Sequence, residues 1–306
     1  MAEGIPAAGT EVHERCSERL ERILQERGYA NFHEVREEYV CTLYLVNLSP
    51  LHVGSKGENR LGSPVDLSVV ISTAAEVAGD GELRVYEGPV IPGSSLKGVF
   101  RSILESIAVA QGLMEFELAA PDGTRLRCTG EALAEVESWL SRAHCSDENI
   151  IFVENNLKKC FASPVVMLFG APWIASHVKV FDAYPADMAL PPRRIVTHVS
   201  IDRLTGSQSP RRLYKVEVVE AGVVWKITIR VQNIDLLGGS WPARLFRELL
   251  RVLDEGIGVG GKTSIGHGRL KLLRQRSSCT RIYFDREAGS FKREEIPLEK
   301  LLSMQD

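Results

Sequence analysis

The segment GIGVGGKTSIGHG, residues 256–268, has the residue types and spacing of a site that could do chemistry. Two glycines separated by four residues precede Lys262 and Thr263, which is the pattern of a loop that cradles nucleotide phosphates. That loop needs a strand before it and a helix after it, because the helix N-terminus presents free N–H groups to the phosphates. Here a predicted helix at residues 240–255 comes first and a predicted strand follows. The order therefore argues against a nucleotide hydrolase.

The same loop could instead contact a polyanion. Glycine lets the main chain approach a ligand closely, and successive N–H groups can bind anions. The alternative is a plain connector between a helix and a strand. The candidate RNA-contacting residues in and beside the loop are Gly260, Gly261, Lys262, Gly266 and Arg269.

A second candidate phosphate site lies in IPGSSLKGVFRS, where Ser94 and Ser95 begin a predicted helix with the apolar stripe Leu96, Val99, Ile103 and Ile107. Lys97 and Arg101 are four residues apart and would share one helix face, close to N–H groups that favour anions. They could clamp a phosphate or form a solvated face.

Charge and cysteine content bound the class of protein. The 306 residues carry a net charge of −3, yet residues 193–215 hold six basic residues and one acid, and residues 262–281 hold six basic residues and no acid. Such stretches are typical of polyanion-binding surfaces and also of solvated loops. No apolar run is long enough for a membrane span. Six scattered cysteines do not resemble a disulfide framework, which predicts a reducing, cytoplasmic setting. The irregularly spaced set that leaves a structural zinc site open is Cys128, His144, Cys145 and Cys160.

The elements that would position these residues form a βαββαβ order. Alternating residues predict a strand at 39–51 and a hairpin of strands 213–219 and 223–231, with Trp225, Ile227 and Ile229 facing inward. Helices near 94–107 and 240–255 and a last strand at 268–275 complete the order. This is an α+β, ferredoxin-like core, with a large insertion at about 114–212.

Several motifs together resemble the RAMP superfamily, and more narrowly the backbone subunits of type III CRISPR effector complexes. They are LHVG after the first strand, IPGSSLKGVFRS, HVSIDRLTGS with LYKVEVV, and the C-terminal glycine-rich loop. The resemblance extends over about residues 40–275. It implies a core of the RNA-recognition-motif type. The domains that we expect are a charged helical N-terminal extension at 1–36, which has no counterpart in the family, a RAMP domain at 37–285 and a C-terminal tail at 286–306.

The resemblance implies a guide-RNA-binding subunit that contacts target RNA, other effector subunits and copies of itself. A β-hairpin thumb would kink the guide, with Arg203, Arg211 and Arg212 on its backbone. The aspartate that cuts target RNA with Mg²⁺ or Mn²⁺ in catalytic members corresponds to Asp66, which by itself would be read as a turn residue. His52 could act as a general base, as in guide-processing relatives, or be a packed structural histidine. A non-catalytic scaffold and a guide-processing endonuclease remain the alternatives.

Overall fold

The computed structural model describes residues 35–54, 65–113, 117–127, 138–139, 146, 148–149, 151–152, 163–170, 175–201 and 208–304. They divide into two compact units. One includes Arg101–Lys179 and Val231–Phe246, and the other comprises Tyr39–Phe100, Val180–Arg230 and Arg247–Asp306. Apart from Arg101, the site described below lies in the second unit. No described helix is both long and apolar enough to span a bilayer.

The strands are β1 Glu37–Asn47, β2 Ile71–Val77, β3 Leu83–Pro89, β4 Glu117–Ala119, β5 Arg125–Arg127, β6 Val178–Val180, β7 Tyr184–Pro185, β8 Arg193–Ile201, β9 Gln208–Val219, β10 Val224–Gln232, β11 Ile257–Gly258, β12 Arg269–Leu272, β13 Ser278–Asp285 and β14 Ser290–Pro297. The helices are α1 Gly93–Ala110, α2 Pro164–Phe169, α3 Trp241–Glu255 and α4 Leu298–Ser303, and short 3₁₀ turns occupy Thr263–Ile265 and Arg274–Arg276.

The main sheet is built around β1, and its described part has eight strands in the order β11-β12-β1-β10-β6, with β13 also on β1, β14 on β13 and β7 on β10. Alternation in β1 buries Tyr39, Cys41, Leu43 and Leu45 and leaves the residues between them partly exposed. The strands pair antiparallel in β1 with β12, β7 with β10, β11 with β12 and β13 with β14. The α+β, ferredoxin-like class is therefore confirmed.

The predicted pairing of strands 213–219 and 223–231 is wrong, although both strands exist. Val216, Val218, Trp225, Ile227 and Ile229 are fully buried, as their alternation predicts. However, β10 lies between β1 and strands β6 and β7, so both of its edges are taken. β9 pairs instead with β8 in a separate antiparallel hairpin, in which His198 faces Tyr214. This hairpin occupies the place of the expected thumb, and residues 202–207 near its tip lie outside the described residues.

Two helices follow their sequence signals with one shift of register. α3 buries Leu245 and Leu249 and is ended by Gly256, whose φ is 112°. In α1, the fully buried residues are Leu96, Phe100, Leu104 and Ala108. The predicted stripe through Val99, Ile103 and Ile107 is therefore wrong by one position, since those residues are only partly buried.

The C-terminal residues and one pair of cysteines differ from expectation. Residues 286–306 were expected to be a tail, yet β14 pairs along its whole length with β13, and α4 buries Leu298 and Leu301. Cys41 on β1 and Cys279 on β13 form a disulfide, and both residues are fully buried. The sequence analysis expected cysteines that form no disulfide framework, and for this pair that expectation is wrong.

Candidate nucleic-acid interface

The glycine-rich loop packs tightly on the segment that follows β1. Gly260 has a φ of 83°, and a Cβ there would overlap the carbonyl oxygen of His52 and lie 3.0 Å from its carbon. The Gly261 N–H donates to the same carbonyl at 2.7 Å. Gly268 has a φ of 72°, and its Cβ would overlap the carbonyl of Val259. Much of the glycine content of the loop is thus required by this packing, since a side chain fits at neither position.

Lys262 is held in an unusual backbone conformation at the top of this loop. Its φ is 67°, in the left-handed region that residues other than glycine seldom adopt. Its Nζ donates to the hydroxyl of Tyr214 on β9 at 2.7 Å and lies 4.6 Å from the centre of that ring. The only lysine of the loop therefore points to the middle of the β8–β9 hairpin, where Tyr214 pairs with His198.

His52 connects the loop to β9. Its ring is 4 % exposed, and Nδ1 donates to the carbonyl of Glu217 at 2.7 Å, because a carbonyl can only accept. Burial lowers the pKa of His52, and Lys262 and His198 lower it further, while Glu217 opposes them. A buried ring with one nitrogen engaged favours the packed structural role over that of a general base.

Three residues that the sequence analysis did not single out lie beside Lys262. The ring of His198 on β8 stacks on Tyr214 with centres 5.4 Å apart, and the ring of His267 lies 5.6 Å from that of His198. Among the described residues, nothing hydrogen-bonds to the buried atoms His198 Nε2 and His267 Nδ1. We call His198, Tyr214, Lys262 and His267 the histidine cluster. Both histidines stand inside motifs quoted above, HVSIDRLTGS and GIGVGGKTSIGHG, which was the available signal.

Asp66 is exposed and tied to β9 by its backbone and its side chain. Its Oδ2 accepts the Lys215 N–H at 2.6 Å, and its own N–H donates to the Lys215 carbonyl at 3.0 Å. This is the bonding of a structural turn aspartate, and it leaves Oδ1 for other partners.

The metal sites that the sequence analysis considered stay predictions. No group of three His, Cys, Asp or Glu residues within the described ranges is placed to hold a metal ion. The zinc candidates Cys128, His144, Cys145 and Cys160 lie outside the described residues. The proposed zinc site therefore stays a prediction.

The start of α1 is occupied by a carboxylate of the protein itself. The Gly93 N–H donates to Asp182 Oδ1 at 2.7 Å, beside the exposed Ser94 and the partly exposed Ser95. An anion bound there would meet this negative charge, which opposes the helix-terminus effect.

The two basic residues of α1 have different surroundings. Arg101 donates from Nε to Glu105 at 2.7 Å and from Nη1 to the Gly170 carbonyl at 3.0 Å, so both groups serve intramolecular contacts. Lys97 is partly exposed. The clamp formed by Lys97 and Arg101 is therefore less favoured by the geometry than the glycine-rich loop is.

The remaining predicted basic contacts lie on or near β9 and β12. Arg269 is exposed and its backbone N–H donates to Ser49 Oγ at 3.0 Å. Arg211 and Arg212 lie in β9, but their side chains, and all of Arg203, are outside the described part of the chain. On β8, Arg193 pairs with Glu217 at 3.0 Å and Arg194 with Glu220 at 2.9 Å.

A ferredoxin-like sheet, a long β8–β9 hairpin and a basic, glycine-rich loop define an α+β architecture suited to RNA. The family model of the RAMP superfamily matches residues 44–271, from β1 to β12, and the chain belongs to that superfamily. It is accordingly a CRISPR-associated RNA-binding protein. No curated protein matches the chain.

Proposed function

We propose that this protein is a guide-RNA-binding backbone subunit of a type III CRISPR effector complex, acting in antiviral defence. Its partners would be guide RNA, target RNA, other effector subunits and further copies of the chain. The observation that carries the proposal is the contact of the glycine-rich loop with the middle of the β8–β9 hairpin, through Lys262 with Tyr214 and through His267 with His198. This places a lysine and two histidines together on the hairpin, where they suit a phosphate backbone and leave base edges free.

Binding of this kind is expected to be tolerant of sequence and steep in salt, because Lys and Arg contacts to phosphates release counterions. The first experiment is therefore simple. The purified protein should carry RNA, measured as the ratio of absorbance at 260 and 280 nm, and should bind single-stranded RNA less tightly as salt rises. An affinity that does not change with salt would refute the proposal.

We further propose that Asp66 takes part in metal-dependent cutting of target RNA. Mg²⁺ commonly binds through one or two carboxylates together with substrate phosphates, so a lone carboxylate with one oxygen available fits an ion delivered with RNA rather than a resident one. When bound, Mg²⁺ or Mn²⁺ would offset the charge that builds up on the reacting phosphate. Asp66 itself would orient the attacking 2′-hydroxyl, and its bond to Lys215 would hold it in place.

The second candidate is a non-catalytic scaffold with the same guide-binding role. It is favoured by the bond from the Lys215 N–H to Asp66, which gives this aspartate a structural role without any chemistry. Guide processing through His52 is disfavoured by the burial of that ring.

Two substitutions of Asp66 separate catalysis from structure. Asp66→Asn keeps an acceptor oxygen for the Lys215 N–H and removes the charge, whereas Asp66→Ala removes both. We expect both variants to lose target cutting by orders of magnitude and to retain guide binding. Only Asp66→Ala should also lower the free energy of unfolding, by about 1–2 kcal/mol.

Cleavage of a labelled target by the guide-loaded protein, with and without a chelator, measures the first effect, and urea unfolding measures the second. An Asp66→Asn variant that cuts at the wild-type rate would remove this residue from the chemistry. A wild type that never cuts supports the scaffold.

A further inference from the structure

We propose that His198, His267 and Lys262 form a binding site for one RNA phosphate, and that the two histidines bind it in their protonated form. The inference rests on the proposed RNA-binding function and deepens it, since it assigns a specific, pH-dependent phosphate contact to the histidine cluster.

The first support is geometric. The cluster joins three separate parts of the chain, because His198 comes from β8, Tyr214 from β9, and Lys262 and His267 from the glycine-rich loop. Tyr214 orders the group by stacking on His198 and by accepting a hydrogen bond from Lys262 at 2.7 Å. The two imidazole rings are tilted by 57° with centres 5.6 Å apart, so they do not stack on each other.

The second support is the bonding of the two histidines. His198 Nε2 and His267 Nδ1 are buried, and the described residues supply neither with a hydrogen-bond partner. A buried polar atom without a partner costs about 1–3 kcal/mol, and such atoms call for a missing ligand or water. Phosphate oxygens accept from imidazolium and ammonium groups in short, charge-assisted bonds.

The third support is the charge around the cluster. His52 follows β1, Arg194 lies on β8, and Lys262 lies on the loop, so three of the neighbouring segments bring a basic group. The nearby acids are already paired, Glu217 with Arg193 and Glu220 with Arg194. Burial, together with His198 and these basic groups, lowers the pKa of His267. An anion between the rings would reverse that effect and favour proton uptake.

A metal ion is a poorer fit than a phosphate. Histidines are common metal ligands, but within the described ranges no group of His, Cys, Asp and Glu is arranged to bind one. A cation would also be repelled by the ammonium group of Lys262, which its bond to Tyr214 holds within the cluster. The left-handed backbone of Lys262 fits the same reading, because strained residues are retained where their placement serves a site.

The test measures how RNA affinity depends on pH. A labelled single-stranded oligouridine is titrated into the full-length wild type between about pH 8 and pH 6, where histidine takes up protons. We expect the affinity to rise by about tenfold as the pH falls, since a pKa shift of one unit on binding corresponds to tenfold. In the double variant His198→Gln with His267→Gln, the rise should fall below about twofold.

His177→Gln serves as the matched control. This histidine bonds the backbone carbonyl of Gln232 through Nδ1 at 2.8 Å, and it belongs to the other compact unit. The control variant should keep the full pH dependence. In addition, Lys262→Met should reduce the slope of log affinity against log salt by about 0.7, the value expected for one phosphate contact on a single strand.

The outcomes are distinguishable. If the double variant keeps the wild-type pH dependence, or if the control loses it, the phosphate site is refuted while RNA binding stands. If the wild type binds no RNA at any pH, the proposed function fails first. Should the double variant not fold, NMR of the histidine ring protons in the wild type decides the question. Two rings must then take up protons at higher pH with RNA than without it, and unchanged titrations refute the site.

Discussion

Gly260→Ala should destabilise the protein more than a glycine substitution elsewhere in the same loop. An alanine at a φ of 83° costs about 1–2 kcal/mol in backbone strain. Its Cβ would also overlap the His52 carbonyl oxygen, and relieving such overlap in a packed region costs about 1–3 kcal/mol. Together these lower the free energy of unfolding by about 2–5 kcal/mol. For a chain of this size, the Tm should fall by about 4–10 °C.

Gly266→Ala is the matched control. Gly266 has a φ of 90°, but nothing lies within 4 Å of the position of its Cβ. Only the strain remains, so the Tm should fall by about 2–4 °C. Thermal unfolding followed by circular dichroism measures both variants. Equal shifts would refute the packing of the loop on the segment after β1, and with it the structural basis of the proposed RNA interface.

Two further predictions concern the disulfide and His52. Replacing Cys41 and Cys279 by Ala should lower the free energy of unfolding by about 2–5 kcal/mol in urea, since the bond closes a loop with a sequence separation of 238; an unchanged midpoint would contradict this. Because burial lowers the pKa of His52, its neutral form is favoured on folding. The stability from this group is thus present above about pH 6.5 and lost as the pH falls through the lowered pKa. His52→Asn should flatten this part of the dependence of Tm on pH, and a curve of unchanged shape would count against it.

Local patterns were sufficient for the elements of the fold but not for their partners. Alternation predicted that Trp225, Ile227 and Ile229 are buried, and the glycine at 256 predicted the end of α3. Both signals are local in sequence. Adjacency along the chain also suggested that β9 pairs with β10. The edges of β10 are instead paired with β1 and with β7 from the insertion. The sequence of one strand does not show which distant strands will compete to pair with it.

The candidate site was found in part. The sequence singled out Lys262 and the glycines because their types are informative at short range. It missed His198, Tyr214 and His267 as a group, since only the register of the β8–β9 hairpin and the fold of the loop bring them together. The same holds for the bond between the Lys215 N–H and Asp66, which links residues 149 positions apart.

The central place of β1 also determines when the protein can fold. Its contacts are made late in synthesis, because Asn47 meets Trp225 at a separation of 178, Ser49 meets Arg269 at 220, and Cys41 meets Cys279 at 238. A ribosome adds about 5–20 residues per second, so the first strand waits on the order of ten seconds or more for its neighbours. During that time its apolar alternate residues are exposed to other chains. Unpaired β1 strands of nascent copies on one message can therefore pair with one another and aggregate. We expect chaperones to bind β1 before the sheet closes.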